Sequence, residues 1–357
     1  MQENKLILPE GEDIWTTLSK EERPLVVYGM GNGADKLFDK LAKIGKTPAA
    51  VFASDGFVRG QSFRGYRVQS LAEIEATYPD FVILVSFATR LSKVMEQIFS
   101  LAKRHPLYLP DMPVVGKTYF TREFMEAHAC ELAAVYERLA DNLSRRIFSA
   151  VLSYKLTADV FYLKEAYSTA NEENFCFADR TVRTAIDGGA YSGDTAREML
   201  ESFPEIVRII AVEPDPKTFI RLQKFAADHK NVHPIQAALW NEVGDAEFSS
   251  GGNRNSSLVG ASYEHREIIT PLVSVDMLAG EKIDYIKYDV EGAEREALLG
   301  SRETILRDRP ALGISLYHRS EDLFALPLLL DSIRSDYTFY LRRRNCLPAW
   351  EIMLYAV

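Results

Sequence analysis

Residues 187–195, D-G-G-A-Y-S-G-D-T, gather the residue types of a small-ligand cradle in one stretch, and Glu213 completes the pattern downstream. Gly188, Gly189 and Gly193 let a backbone turn tightly and let a ligand approach it closely. Asp187 opens the turn, Ala190 and Tyr191 carry it, and Asp194 and Thr195 stand where it leads into a helix. Carboxylates at the two ends of the turn repel a pyrophosphate, and the spacing departs from the G-x-G-x-x-G of dinucleotide loops. They suit a ligand with an ammonium group and a sulfonium charge, which describes S-adenosylmethionine. Glu213, followed by Pro214, ends the next apolar run, where a carboxylate can accept two hydrogen bonds from a ribose diol. The competing reading is an ordinary strand–turn–helix connection that binds nothing.

A second set of chemistry-bearing residues lies in I-K-Y-D-V-E-G-A-E, residues 286–294, and at His318. Lys287 and Asp289 are two apart, so in a strand they share one face. Glu291 stands at the turn that follows. The carboxyl ends of parallel strands line the ligand crevice, so Asp289 and Glu291 should face the same crevice as Asp187 and Glu213. Asp289 is thus a candidate both for cofactor contact and for chemistry. A sulfonium methyl donor needs an aligned acceptor and, where that acceptor is an alcohol, a base for its proton. Asp289 is the first candidate base. His318 is the second, because an unperturbed imidazole titrates near neutral pH. A hydrogen-bonded strand-end histidine and a plain Lys287–Asp289 charge pair are the alternatives. Asp289, Glu291 and His318 could instead hold Mg2+, but histidine is an uncommon ligand for so hard a cation, and no metal site is expected.

These residues need a parallel α/β layout to bring them together. Thr184–Asp187 reads as a strand, and a helix with Ala196, Met199, Leu200 and Phe203 on one face stops at Pro204. Val207–Val212 is the next strand, and Pro216 can start a helix through Phe219, Leu222 and Phe225. Val232–Leu239 reads as the third strand, with Ala238 a candidate cofactor contact. A short strand ends at Phe248, and the Gly/Asn/Ser-rich stretch 249–257 reads as a mobile loop. Leu272–Val275 is extended, with Asp276 as a helix-cap candidate. Leu312–Leu316 forms a fifth strand ending beside His318, and Thr338–Arg342 with Glu351–Ala356 forms a closing hairpin on the sheet edge.

An independent α/β pattern precedes this one. Leu25–Tyr28 is a strand, Gly29, Gly31 and Gly33 lead into a helix, Ala49–Ala53 is a second strand, and Asp55 follows. Ser70 and Glu73 form a capping box, and Phe81–Ser86 is a third strand. That glycine loop suits either a nucleotide or a scaffold that binds nothing. Three prolines in 105–113 mark a boundary, and the helical spacing from Leu132 to Val151 is divided at Asp141-Asn142. The expected units are a Rossmann-like domain at 1–116, a helical connector or lid at 117–180, and the cofactor domain at 181–357.

Composition limits the partners. The chain has 357 residues and a formal net charge of −9, which argues against non-specific nucleic-acid binding. Its three cysteines, Cys130, Cys176 and Cys346, form no C-x-x-C pair, which suits a reducing, cytoplasmic setting. The first residues lack a basic stretch followed by a long apolar one, and no apolar run approaches roughly 18 residues, so neither a signal peptide nor a membrane span is expected.

Taken together, D-G-G-A-Y-S-G-D-T, V-E-P-D-P, I-K-Y-D-V-E-G-A-E, the strand ending near His318 and the closing E-I-M-L-Y-A resemble the FkbM-type S-adenosylmethionine-dependent methyltransferases over about residues 181–357. The K-x-D-x-E-G-x-E element is the most specific piece. The resemblance implies a seven-stranded class I methyltransferase sheet and O-methylation of a hydroxyl, often on a sugar or glycan. It carries over Asp187, Gly189, Gly193 and Glu213 as cofactor residues, and Lys287, Asp289, Glu291 and His318 as active-site residues. Two other functions remain open at this stage. One is an NAD(P)-dependent oxidoreductase using Gly29–Gly33 with Asp55 near the ribose. The other is a protein that binds S-adenosylmethionine without catalysis. Oligomeric state is not legible.

Overall fold

The computed structural model describes residues 5–250 and 266–357. Its larger sheet has seven strands, in the order Phe339–Arg343, Ile352–Ala356, Ala311–Ser315, Tyr285–Tyr288, Thr184–Gly188, Arg208–Val212 and Val232–Ile235. Ile352–Ala356 runs against both of its neighbours, and the remaining pairs are parallel. This is the seven-stranded sheet with a closing hairpin that the sequence implied. Thr184–Gly188, Tyr285–Tyr288 and Ala311–Ser315 are buried at every position, as strands covered on both faces must be. Their polar members, Asp187 and Lys287, are therefore buried too, and each must find a partner.

A second sheet has six strands, in the order Ser62–Phe63, Tyr66–Gln69, Ala50–Phe52, Leu25–Tyr28, Val82–Val85 and Leu107–Tyr108. All its pairs are parallel except the Ser62–Phe63 hairpin. The expected strands are present, as is the Ser70–Glu73 capping box. Three strands are additional. Ser62–Phe63 and Tyr66–Gln69 form a hairpin between Asp55 and the capping box, and Leu107–Tyr108 lies within the proline-marked boundary.

Other expectations need correction. Val232–Leu239 is not one strand: Val232–Ile235 belongs to the large sheet, and Ala238–Leu239 pairs with Arg266–Val273 in a separate three-stranded sheet. Asp276 does not cap its own helix. Ser274 caps Val275–Leu278, while the Asp276 carboxylate accepts from the N–H groups of Glu303 and Thr304 and so caps Arg302–Asp308. The helix that carries Val151 ends at Thr157 and is followed by a 3-10 turn, Val160–Leu163, and a further short helix, Ala170–Phe175, with a Thr169–Glu172 capping box. The stretch 249–257 begins inside the strand Gly244–Ser250 and otherwise lies outside the described residues.

The connector holds the two sheets together. The helical pattern divides at Asp141-Asn142, as expected; Asp141 caps the helix Asn142–Thr157, and its carboxylate also pairs with the buried Arg342 of the closing hairpin at 2.7 Å. The fully buried Arg343 donates to the carbonyls of Leu163 and Ala166, at 3.3 and 2.6 Å, and to that of Cys346. Val26 of the smaller sheet, Phe148 of the connector and Ile286 and Leu354 of the larger sheet all belong to one apolar cluster. The proposed units 1–116, 117–180 and 181–357 therefore share a core. Among the described residues no helix is long and apolar enough to cross a membrane.

Candidate active site

A cavity of about 470 Å3 opens where the central strands of the large sheet end. That volume lies within the range of roughly 300–1,000 Å3 typical of small-ligand sites. The loop after Thr184–Gly188 forms one wall through Gly189, Tyr191, Asp194 and Thr195. Packing sets the glycine positions. A Cβ on Gly189, which has φ +74°, would lie 1.9 Å from the Asp289 carbonyl oxygen. One on Gly193 would lie 2.4 Å from the Phe225 ring, and one on Gly188 would lie 2.5 Å from Leu239. The glycines thus let the 187–193 loop lie directly on the 289–290 turn, which brings the two predicted clusters into one site.

Glu213 fastens the same loop to the next strand. Its carboxylate accepts from the Tyr191 N–H at 2.9 Å and from the Asp215 N–H at 2.8 Å. Gly189 and Ala190 both donate to the Val212 carbonyl at 3.0 Å. Burial pushes the Glu213 carboxyl up to about 8, even though both backbone donors pull it down. Each carboxylate oxygen has a second lone pair, so Glu213 can hold the loop and still accept from a diol. Pro214 and Ala238 line the cavity beside it.

Asp187 has no exposed surface and stands behind the wall. The Lys287 ammonium lies 3.4 Å from Asp187, 3.7 Å from Asp289 and 3.1 Å from Thr195 Oγ1. Burial pulls this lysine down, but the carboxylates of Asp187 and Asp289 outweigh it, and the ammonium is held above its ordinary value. Lys287 is thus a buried cation shared between the two clusters.

Asp289, Glu291 and His318 also converge, though not as equals. Asp289 Oδ1 accepts from Ser315 Oγ at 2.9 Å and from the Tyr317 hydroxyl at 3.0 Å. Burial pushes its carboxyl up, but the charges of Lys287 and His318 and these two hydroxyls bring it below its usual value. Glu291 lines the cavity in a left-handed backbone conformation, φ 53°, a strain that non-glycine residues keep chiefly where function demands it. Burial raises its carboxyl above the ordinary range against the pull of His318.

His318 is fully buried and lies behind Glu291 and Asp289, 3.4 and 3.6 Å from their carboxylates through Nε2. Its Nδ1 stands 2.9 Å from the buried Glu294, an ion-pair contact rather than an aligned hydrogen bond. Burial works against the imidazolium, yet Glu294 and Glu291 outweigh it and hold the ring's pKa well above its ordinary value.

Asp289, Glu294 and His318 each place an atom within 4.8 Å of the others, a spacing that a metal ion could use. Glu294 faces Nδ1, however, while Asp289 faces Nε2, and the Lys287 ammonium already stands beside Asp289. The carboxylates are neutralised by two protein cations, which favours the reading without metal.

Sequence reasoning missed Ser315 and Tyr317, although both lie on the strand exit that leads to His318. It missed Glu294 as a partner of His318, although the residue sits in the K-x-D-x-E-G-x-E element. It also missed Thr89, Arg90, Trp350 and Glu351, which complete the cavity wall from distant parts of the chain.

The N-terminal glycine loop has a packing role. A Cβ on Gly33 would lie 2.1 Å from the Ser86 carbonyl oxygen, and one on Gly29 would lie 2.7 Å from the Phe87 ring. Phe87 also packs edge-on against Tyr28, at 4.9 Å between ring centroids. Asp55 sits in a single 3-10 turn, Asp55–Phe57.

Residues 187–339 match the family model of the methyltransferase FkbM domain. The chain is similar to a solved methyltransferase FkbM from Methylobacillus flagellatus KT, with 20% identity over 96% of this chain and 92% of that one and a TM-score of 0.70. A more distant likeness is Aeropyrum pernix fibrillarin, solved with S-adenosyl-L-methionine natively bound, with 17% identity over 50% of this chain and 67% of that one and a TM-score of 0.33. No curated protein matches.

Proposed function

We propose that this chain, whose residues 187–339 match the methyltransferase FkbM domain, is a methyltransferase that uses S-adenosylmethionine to methylate a hydroxyl oxygen of a sugar, glycan or related small molecule. The observation that carries the reading is the single cavity shared by the glycine loop, Glu213 and the Asp289–Glu291 turn. The donor set fits the cofactor. Glu213 would take the ribose diol, Pro214 and Ala238 would flank it, and the acidic end of the loop at Asp194 would face the ammonium group. When bound, the cofactor supplies an electrophilic methyl carbon whose leaving group departs neutral, so no acid is required.

What remains for the protein is alignment and proton removal. Glu291 is best suited to take the acceptor's proton. It faces the cavity, and its raised carboxyl makes it a stronger base than an ordinary glutamate. Asp289 is a weaker base, because Ser315, Tyr317, Lys287 and His318 all stabilise its anion. Its part is to fix the Lys287 ammonium and the Tyr317 hydroxyl at the cavity edge. His318 acts from behind by holding Glu291 in place.

The donor assignment has a pH signature. Ribose hydroxyls donate to the ionised form of Glu213, whose carboxyl titrates at about 8 in the free protein. Below that pH, binding must release a proton. Affinity for S-adenosylhomocysteine should therefore rise with pH, by up to about tenfold per unit, and level off above the pKa. Calorimetry in buffers of different ionisation enthalpy should show that proton release, and Glu213→Gln should abolish it. A flat affinity profile from pH 6 to 9 would count against Glu213 as the ribose ligand. The acceptor class is tested by methyl transfer from labelled S-adenosylmethionine to a panel of glycosides. Transfer only to non-sugar hydroxyls would correct that part of the reading.

A further inference from the structure

Part of the cavity wall comes from the N-terminal half of the chain. Ala88, Thr89 and Arg90 follow the strand Val82–Val85 and reach the cavity edge. The N-terminal glycine loop makes this possible, because Gly29 and Gly33 leave room for Ser86 and Phe87 to fold back onto it. Ser86 is fixed there by two hydrogen bonds to the Tyr28 carbonyl, both 3.0 Å. Residues 88–90 then project away from their own sheet.

They meet the closing hairpin of the larger sheet. The Thr89 N–H donates to the Leu347 carbonyl at 2.7 Å, and the Leu347 N–H donates back to Thr89 at 3.0 Å. The Arg90 guanidinium pairs with Glu351, which also lines the cavity. Glu351 is held in a left-handed conformation, φ 56°, as Glu291 is. The pair stays partly open, with side-chain exposures of 45% and 20%. A second strap supports the same arrangement. Lys36 Nζ donates to the carbonyls of Pro113 and Val114, the Val115 N–H donates to the His318 carbonyl at 3.0 Å, and the Val115 side chain packs on Gly292. The N-terminal half thus touches the catalytic turn and the cavity edge at separate points.

The proposed donor contacts lie on loops of the larger sheet and, at Ala238, on the small three-stranded sheet. The edge built from 88–90 and 350–351 has a different chemistry: guanidinium N–H donors and carboxylate lone pairs side by side. Such a pair matches a hydroxyl-bearing surface, which offers both donors and acceptors. We propose that Arg90, held by Glu351, is a specificity-determining residue for the methyl acceptor, so that acceptor recognition is divided between the two sheets. This rests on reading the cavity as a methyl-transfer site.

The test compares full-length wild type, Arg90→Ala and Arg90→Lys, using tritiated S-adenosylmethionine and a panel of neutral, amino and uronic p-nitrophenyl glycosides. Arg90→Ala should raise the acceptor KM about 10- to 100-fold, while kcat stays within about threefold and S-adenosylhomocysteine affinity within about twofold. Arg90→Lys should recover part of the KM. An unchanged acceptor KM, or an equal loss of S-adenosylhomocysteine affinity, overturns the proposal. If wild type methylates no member of the panel, the glycan reading fails and thiol labelling decides the matter. Arg90→Cys in a Cys130→Ser background should react with dithiobis(nitrobenzoate) at a rate that bound S-adenosylhomocysteine changes by less than about threefold. Protection of more than about tenfold would place residue 90 in the donor site and end the proposal.

Discussion

Glu291→Gln should lower kcat by about 10²- to 10⁴-fold, the usual worth of a positioned general base, while leaving S-adenosylhomocysteine affinity nearly unchanged. Glutamine keeps the length and the acceptor oxygen of the side chain but cannot take a proton. The pH profile adds a second readout. Burial raises the Glu291 carboxyl above its ordinary 4.5. A base must be ionised to act, so wild-type turnover should fall as pH drops through that raised value, and the acid limb should vanish in Glu291→Gln. Asp289→Asn is the control. It should disturb Lys287 and Tyr317 and so cost some rate, but it should keep the acid limb. If Asp289→Asn removes the limb and Glu291→Gln does not, Asp289 is the base and its hydrogen bonds must rearrange when the acceptor binds.

Gly189→Ala should produce the second large effect, through sterics alone. The added Cβ would fall 1.9 Å from the Asp289 carbonyl oxygen, and the residue would have to keep φ +74°. Overpacking and left-handed strain each cost about 1–3 kcal/mol, so the variant should lose roughly 2–6 kcal/mol of stability or push the two loops apart. Thermal unfolding should show the first outcome. Calorimetry should show loss of S-adenosylhomocysteine binding in either case, because the loop carries one wall of the cavity. A variant that melts like wild type and binds normally would mean that the loops are not in contact as described.

The two clusters proposed to carry the chemistry were legible because their signals are local. A D-G-G turn after an apolar run, and a Lys-x-Asp pair on one face of a strand, need no distant information to be read. The turn at Glu291 was legible for the same reason. Misreadings arose where tertiary contacts decide. Val232–Leu239 reads as one strand, yet it is shared between two sheets, and only pairing with 266–273 reveals the break. Leu107–Tyr108 is two residues long and lies among prolines, so its strand exists because Val82–Val85 offers it an edge. Asp276 has a cap's residue type, but the helix it caps is the distant Arg302–Asp308. His318 looks like a base from its type, and only the fold shows that it is fully buried behind Asp289 and Glu291, with Glu294 on its other side. The Arg90–Glu351 pair joins positions that no spacing rule connects.

A crystal structure of the full-length protein with S-adenosylhomocysteine tests the central claim most directly. The account predicts one molecule in the cavity, its ribose hydroxyls on Glu213, its amino-acid end along 189–195, and its sulfur directed toward Asp289 and Glu291. Adenosine bound at Gly29–Gly33, or a cofactor whose ribose avoids Glu213, would contradict it.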